Sequence, residues 1–212
     1  MRGKALSIKL LLSYRHKRAY QMRIEKILNY WIVILLALMG CNSTIQPDIA
    51  LDLLLIDLSV MPPDWYMAST NNHAYEEDFN YERTADISLS NPSYAGGGQN
   101  VFQFRSERQA ARIFERQLRR EFNSSSVASE TPWQIPPELP YTSEVADQFH
   151  FACHISNING LSEICKMMGQ YDKYLVILSM HMTPDYMTYA DLEKILEAVD
   201  KKMADALAEG VK

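Results

Sequence analysis

Histidines, cysteines and a helix-spaced run of arginines are the residues of this chain whose types and spacing suit chemistry. His150 and His154 fall four apart in an alternating segment, so both side chains take one face of a strand. At ~3.3 Å per residue they stand roughly 13 Å apart, too far to share one metal ion directly. His181 would have to come between them, and no Cys or carboxylate spacing completes a tetrahedral set. No Gly-x-Ser-x-Gly elbow is present, and Ser124-Ser125-Ser126 sits in a polar loop. Gly96-Gly97-Gly98 precedes a strand, so no helix N-terminus stands there to hold phosphate. Glu76-Glu77-Asp78 with Glu82 and Asp86 lacks the central glycine of a calcium loop and reads as a solvated acidic loop. The expectation is therefore no catalytic residue, no metal ligand and no cofactor.

Two groups resist dismissal. Arg108, Arg112, Arg116, Arg119 and Arg120 fall within about 120° of one helix surface, largely away from Phe114 and Leu118. Like charges four apart repel by a few tenths of a kcal/mol, so a partner surface is expected there. It would be the acidic loop, anionic lipid heads or another protein, set against a solvated helix face with Glu115 and Glu121 nearby. The second group is Cys153 and Cys165. A two-residue turn at Asn159-Gly160 would put their sulfurs on opposite faces of the sheet, whereas a three-residue loop would pair them directly. Disulfide and free buried thiols both remain open at this point.

The third cysteine lies in a different setting. The chain carries a net charge of -5. Residues 1–40 hold eight Lys/Arg and one acid, whereas residues 41–212 hold thirteen Lys/Arg and twenty-five acids. The acidic body disfavours nucleic acid, whose phosphates require clustered cations. From Met22 the order is a basic start (Arg23, Lys26), the apolar run from Trp31 to Met39, then Gly40-Cys41-Asn42-Ser43. The run is shorter than the ~20 residues a membrane span needs and suits an export signal. Leu38-Met39-Gly40-Cys41 resembles the lipobox of bacterial lipoproteins. That resemblance implies cleavage before Cys41, a diacylglyceryl group on its sulfur, and anchoring on the extracytoplasmic side of a membrane. Residues 1–40 are then the signal peptide, with Met22 the expected true start, and 41–50 a lipidated tether. Residues 51–212 form one globular domain.

Periodicity organises that domain. Residues 51–58 are apolar but ambiguous between helix and strand. Met61-Pro62-Pro63-Asp64-Trp65-Tyr66 makes a rigid turn entering a strand. Alternation predicts strands at 83–90 and 100–105, with the glycines at 96–98 breaking the chain between them. A helix over 106–122 opens on a Ser106/Gln109 capping box. Strands follow at 149–155, 164–168 and 174–182, then a last helix from Thr188 to about Glu209 with an apolar stripe of Leu192, Ile195, Leu196, Val199 and Met203. Glu197 and Lys201 are an expected i,i+4 pair. The fold class is α+β: a mainly antiparallel sheet of five to six strands, with both amphipathic helices expected on the same surface in two layers. The order of elements, the Pro-Pro-Asp-Trp turn and the Ser-Glu-Arg-Gln-Ala-Ala helix start resemble small extracytoplasmic lipoproteins and bacterial kinase sensor domains. The resemblance implies a non-enzymatic binding or sensing module with a membrane and an envelope protein as partners. An envelope hydrolase is the alternative. An exposed aromatic patch around Trp65, Tyr66 or Trp133 would favour binding.

Overall fold

Alternating and doubly apolar segments of the chain meet in one six-stranded sheet, every pair antiparallel, in the order β1-β2-β3-β6-β5-β4. The strands are β1 (Tyr66–Ala74), β2 (Arg83–Ser90), β3 (Gly96–Gln103), β4 (Gln148–Ser156), β5 (Ser162–Tyr171) and β6 (Tyr174–Met182). Helix α1 (Glu107–Glu121) follows β3 and α2 (Tyr189–Gly210) follows β6. Two short 3-10 helices, η1 (Leu51–Leu54) and η2 (Leu58–Val60), precede β1. The computed structural model describes residues 49–74, 81–93, 96–122, 131–157 and 162–210. All of them fall in a unit spanning Pro47–Lys212. The export signal, Cys41, Glu76-Glu77-Asp78, Ser124-Ser125-Ser126 and the Asn159-Gly160 turn lie outside the described residues. Among the described residues no helix is long and apolar enough to cross a membrane.

Local chemistry sets the element ends. Ser106 caps α1 by accepting the Gln109 N–H at 3.3 Å. At α2 the capping box is reciprocal: Thr188 Oγ1 accepts the Asp191 N–H at 3.2 Å, and Asp191 Oδ2 accepts the Thr188 N–H at 3.3 Å. Lys201 pairs with Asp205, four residues on, in place of the expected Glu197. Asp172, in the tight turn between β5 and β6, has a φ of 52°, a left-handed conformation that Asp tolerates better than most residues.

Antiparallel α+β architecture agrees with the sequence expectation, but the placement of the helices does not. Consecutive residues of the central strands are buried in different cores. Met167, Val176, Leu178 and Met180 pack with α2 through Leu192, Ile195, Leu196, Val199 and Met203. Met168 and Leu175 pack with α1 through Ala110, Ile113 and Phe114. Successive strand residues point to opposite faces, so α1 and α2 cover opposite sides of the sheet. The two-layer arrangement is thus corrected. A sheet apolar on both faces needs cover on both.

Two other expectations change. The glycine triplet opens β3 instead of breaking the chain, pairing with Ser88–Ser90 on one side and Ser179–Met180 on the other. A Cβ on Gly98 would stand 2.7 Å from the Ile87 carbonyl oxygen, so the strands approach more closely than any side chain allows. The ambiguous segment at 51–58 forms the 3-10 helix η1 and runs into the start of η2. Its Leu51, Leu54, Leu55 and Ile56 enter the α2-side core.

Candidate functional site

The segment holding η1 is pinned from below by one polar side chain. Gln99 on β3 is completely buried. Its Oε1 accepts the Ile56 N–H at 2.6 Å and its Nε2 donates to the Leu54 carbonyl at 3.2 Å. The amide therefore satisfies backbone groups that a neighbouring strand would otherwise satisfy. Held this way, the segment stands beside the outer strands β1 and β2 and leaves a groove of about 450 Å³ between them. Leu55, Ile56 and Ile87 are buried beneath it; Leu53, Met67, Thr70 and Asn71 rise around it.

A charged corner closes one end. Lys202 of α2 lies 3.6 Å from Asp57 Oδ2 and donates to the Leu53 carbonyl at 3.4 Å. Asp57 also accepts hydrogen bonds from the Ser59 backbone and hydroxyl. These Ser59 bonds, then Lys202, hold its carboxyl below the usual carboxylate range. Asp52 adds a second carboxylate to the rim. An apolar body with a donor or cationic end matches this lining.

A second groove, also about 450 Å³, runs along Glu163, Met182, Met187 and Tyr189, where the Tyr189 hydroxyl spans both Glu163 oxygens at 2.8 and 2.9 Å. Exposed apolar surface distinguishes the two. Among the described residues six large hydrophobic side chains are exposed, and four of them, Leu53, Leu58, Tyr66 and Met67, belong to the segments around the first groove. Such clustering marks contact surfaces.

The fold has a known relative in shape. It is similar to the crystal structure of the extracellular domain of PknH from Mycobacterium tuberculosis. The match has a TM-score of 0.55 and 11% identity, and covers 76% of this chain and 99% of that one. At that identity the likeness is one of fold. No family model and no curated protein matches the chain.

The residues singled out by sequence sit in several places. Cys153 and Cys165 are direct cross-strand partners on β4 and β5, joined as a disulfide with a Cα–Cα distance of 4.0 Å. Glu163 is near enough to both sulfurs for a metal site, but the bonded sulfurs offer no thiolate. Of the arginines, all five side chains are exposed. Arg119 stands 3.9 Å from Glu115, and Arg120 has a partner of its own. Glu82 and Asp86, from the acidic stretch, are engaged with Arg105 and Asn71 rather than with α1. Trp65 is not part of an aromatic surface: it is buried and its indole N–H donates to the Tyr186 carbonyl at 2.8 Å. Tyr66 is exposed.

His150 and His154 share the α1 side of β4 but meet different rings. His150 packs edge-on to Phe122 at 4.3 Å, and His154 lies against Trp133 at 4.0 Å. Burial pushes both below the ordinary imidazole range, and Lys166 adds to the effect at His154. Lys166 itself spans Trp133 and Glu121, at 5.6 and 2.6 Å. The arrangement fastens the 131–134 segment to the outer edge of β4, where Gln134 also exchanges backbone hydrogen bonds with Cys153.

Sequence reasoning missed Asp200. It is buried, and its carboxylate accepts from Tyr171 at 2.6 Å, Tyr141 at 2.8 Å and Ser143 at 2.9 Å. The available signal was an acid four residues beyond Leu196 and three before Met203, inside the apolar stripe. Its three hydroxyl donors make it a structural anchor for the 141–146 segment.

Proposed function

We propose that this chain is an extracytoplasmic binding or sensing module, held at a membrane by lipid on Cys41, that takes a small amphipathic ligand in the groove between η1 and β1–β2. The groove carries the reading: an apolar floor, exposed Leu53 and Met67, and a charged corner of Asp57 and Lys202. Pockets of this size and mixed lining are the usual form of small-molecule sites. The likeness in fold to the extracellular domain of a kinase supports the exported, sensing side of the proposal. The Gly40-Cys41 motif supports the anchor.

The ligand site is tested with N-phenyl-1-naphthylamine, an uncharged dye that brightens in apolar surroundings. The full chain should show saturable binding. Thr70→Trp, which fills the groove from its exposed rim, should remove it, while Thr142→Trp, at an exposed position outside the groove lining, should not. Absence of saturable binding, or binding equal in both variants, overturns the groove as the ligand site.

A further inference from the structure

The outward face of α1 is built of cation. Arg108, Arg112, Arg116 and Arg119 fall within about 80° at 100° per residue, on the side opposite the buried Ala110, Ile113, Phe114 and Gln117. Arg108, Arg112 and Arg116 have no ion pair among the described residues, and Glu115 is the acid beside Arg119. The far side of the sheet has the reverse charge: besides the buried Asp200, α2 carries five carboxylates and three lysines. The sheet separates the two, so the domain is polarised across its thickness. An acidic domain as a whole is repelled by an anionic surface. A segregated guanidinium face gives it one orientation in which approach is favourable.

Chain geometry brings the tether to the end of the sheet from which α1 starts, with Ile49 itself packed on the α2-side core. Arg83 donates to the Ile49 carbonyl at 2.6 Å. Arg83 also pairs in register with Gln103, three residues before the Ser106 cap of α1. The chain therefore enters the domain at the end of the sheet where α1 begins. Eight peptide units separate Cys41 from Ile49, a reach of at most ~28 Å.

We infer that the α1 arginine face docks on anionic phospholipid headgroups, laying the domain on the bilayer with α2 and its acids turned away. The inference rests on the proposed lipid anchor for its effective concentration, and guanidinium groups bind phosphate in paired hydrogen bonds.

The test uses the full chain reconstituted in vesicles of phosphatidylcholine alone or with phosphatidylglycerol. Flotation on the neutral vesicles reports the anchor. Phenylglyoxal labelling, read by mass spectrometry at Arg108, Arg112 and Arg116, reports the docking face independently. Labelling of these three should fall several-fold in anionic vesicles and recover at high salt. In the Cys41→Ser chain freed of residues 1–40, replacing the three by Gln should weaken binding to anionic vesicles about a hundredfold, at about fivefold per arginine. Replacing them by Lys should retain most of it, and an unchanged near-ultraviolet spectrum shows that each variant is folded. Equal labelling in both lipids overturns the inference, whether or not the chain floats. Protection by polyglutamate but not by anionic vesicles also overturns it, and assigns the face to an acidic protein.

Discussion

Tyr171 on β5 donates its hydroxyl to Asp200 of α2 at 2.6 Å, crossing the core between sheet and helix. The ring lies back over Gly169, where a Cβ would come within 2.6 Å of it. A glycine on the strand, a phenol and a carboxylate on the helix thus form one connected contact. Tyr141 and Ser143 bring the preceding segment to the same carboxylate.

Breaking that contact should cost in a definite order. Tyr171→Phe removes one hydrogen bond to a charged group, about 1.5–3 kcal/mol. Asp200→Ala strands three hydroxyl donors, at about 1–3 kcal/mol for each that stays buried, and should cost more. Gly169→Ala should resemble Tyr171→Phe, because the methyl displaces the ring. Urea midpoints at constant slope check the order; a neutral Asp200→Ala would show that the carboxylate anchors nothing.

The same site predicts alkaline behaviour. Burial, then the bond to Asp200, pushes the Tyr171 phenol above its ordinary value of 10.0. The folded state keeps the proton that the unfolded state releases. This contribution is complete below pH 10 and is lost as pH rises above it. Tyr171→Phe should make the alkaline decline in melting temperature shallower.

Acid titration runs through the histidines. Burial depresses His150, His154 and His181 below the ordinary 6.5. The unfolded chain therefore binds more protons, and stability falls as pH drops below 6.5. His154 Nδ1 is buried without a hydrogen-bond partner among the described residues, so His154→Phe should be tolerated at neutral pH and flatten the acid limb. A melting temperature independent of pH across this range would contradict the burial argument.

Intact mass tests the Cys153–Cys165 bond: denaturing reduction should add two hydrogens. A loop with a sequence separation of 12 should make the oxidised domain more stable than the reduced one by ~3 kcal/mol. An unchanged mass would leave free thiols.

Lipid on Cys41 predicts incorporation of labelled palmitate into the wild-type chain and none into Cys41→Ser. Recovery of native protein that begins upstream of Gly40 would count against cleavage at that site.

Sequence alone determined the features that arise from neighbours along the chain. The caps at Ser106 and Thr188, the extent of β2 and β6, and the apolar stripe of α2 follow from side chains within one turn or one pleat of each other. The arginine face was legible for the same reason. Tertiary structure decided what depends on distant partners. Residues 51–58 have no period of their own, and they take their form from Gln99, more than forty positions later. Both faces of β5 and β6 are apolar, so no local pattern says which helix each will meet. Cysteine pairing turned on a register that one loop residue would shift to the opposite face. Asp200 can lie in an apolar stripe because three hydroxyls from other segments converge on it, and that convergence exists only in the folded chain.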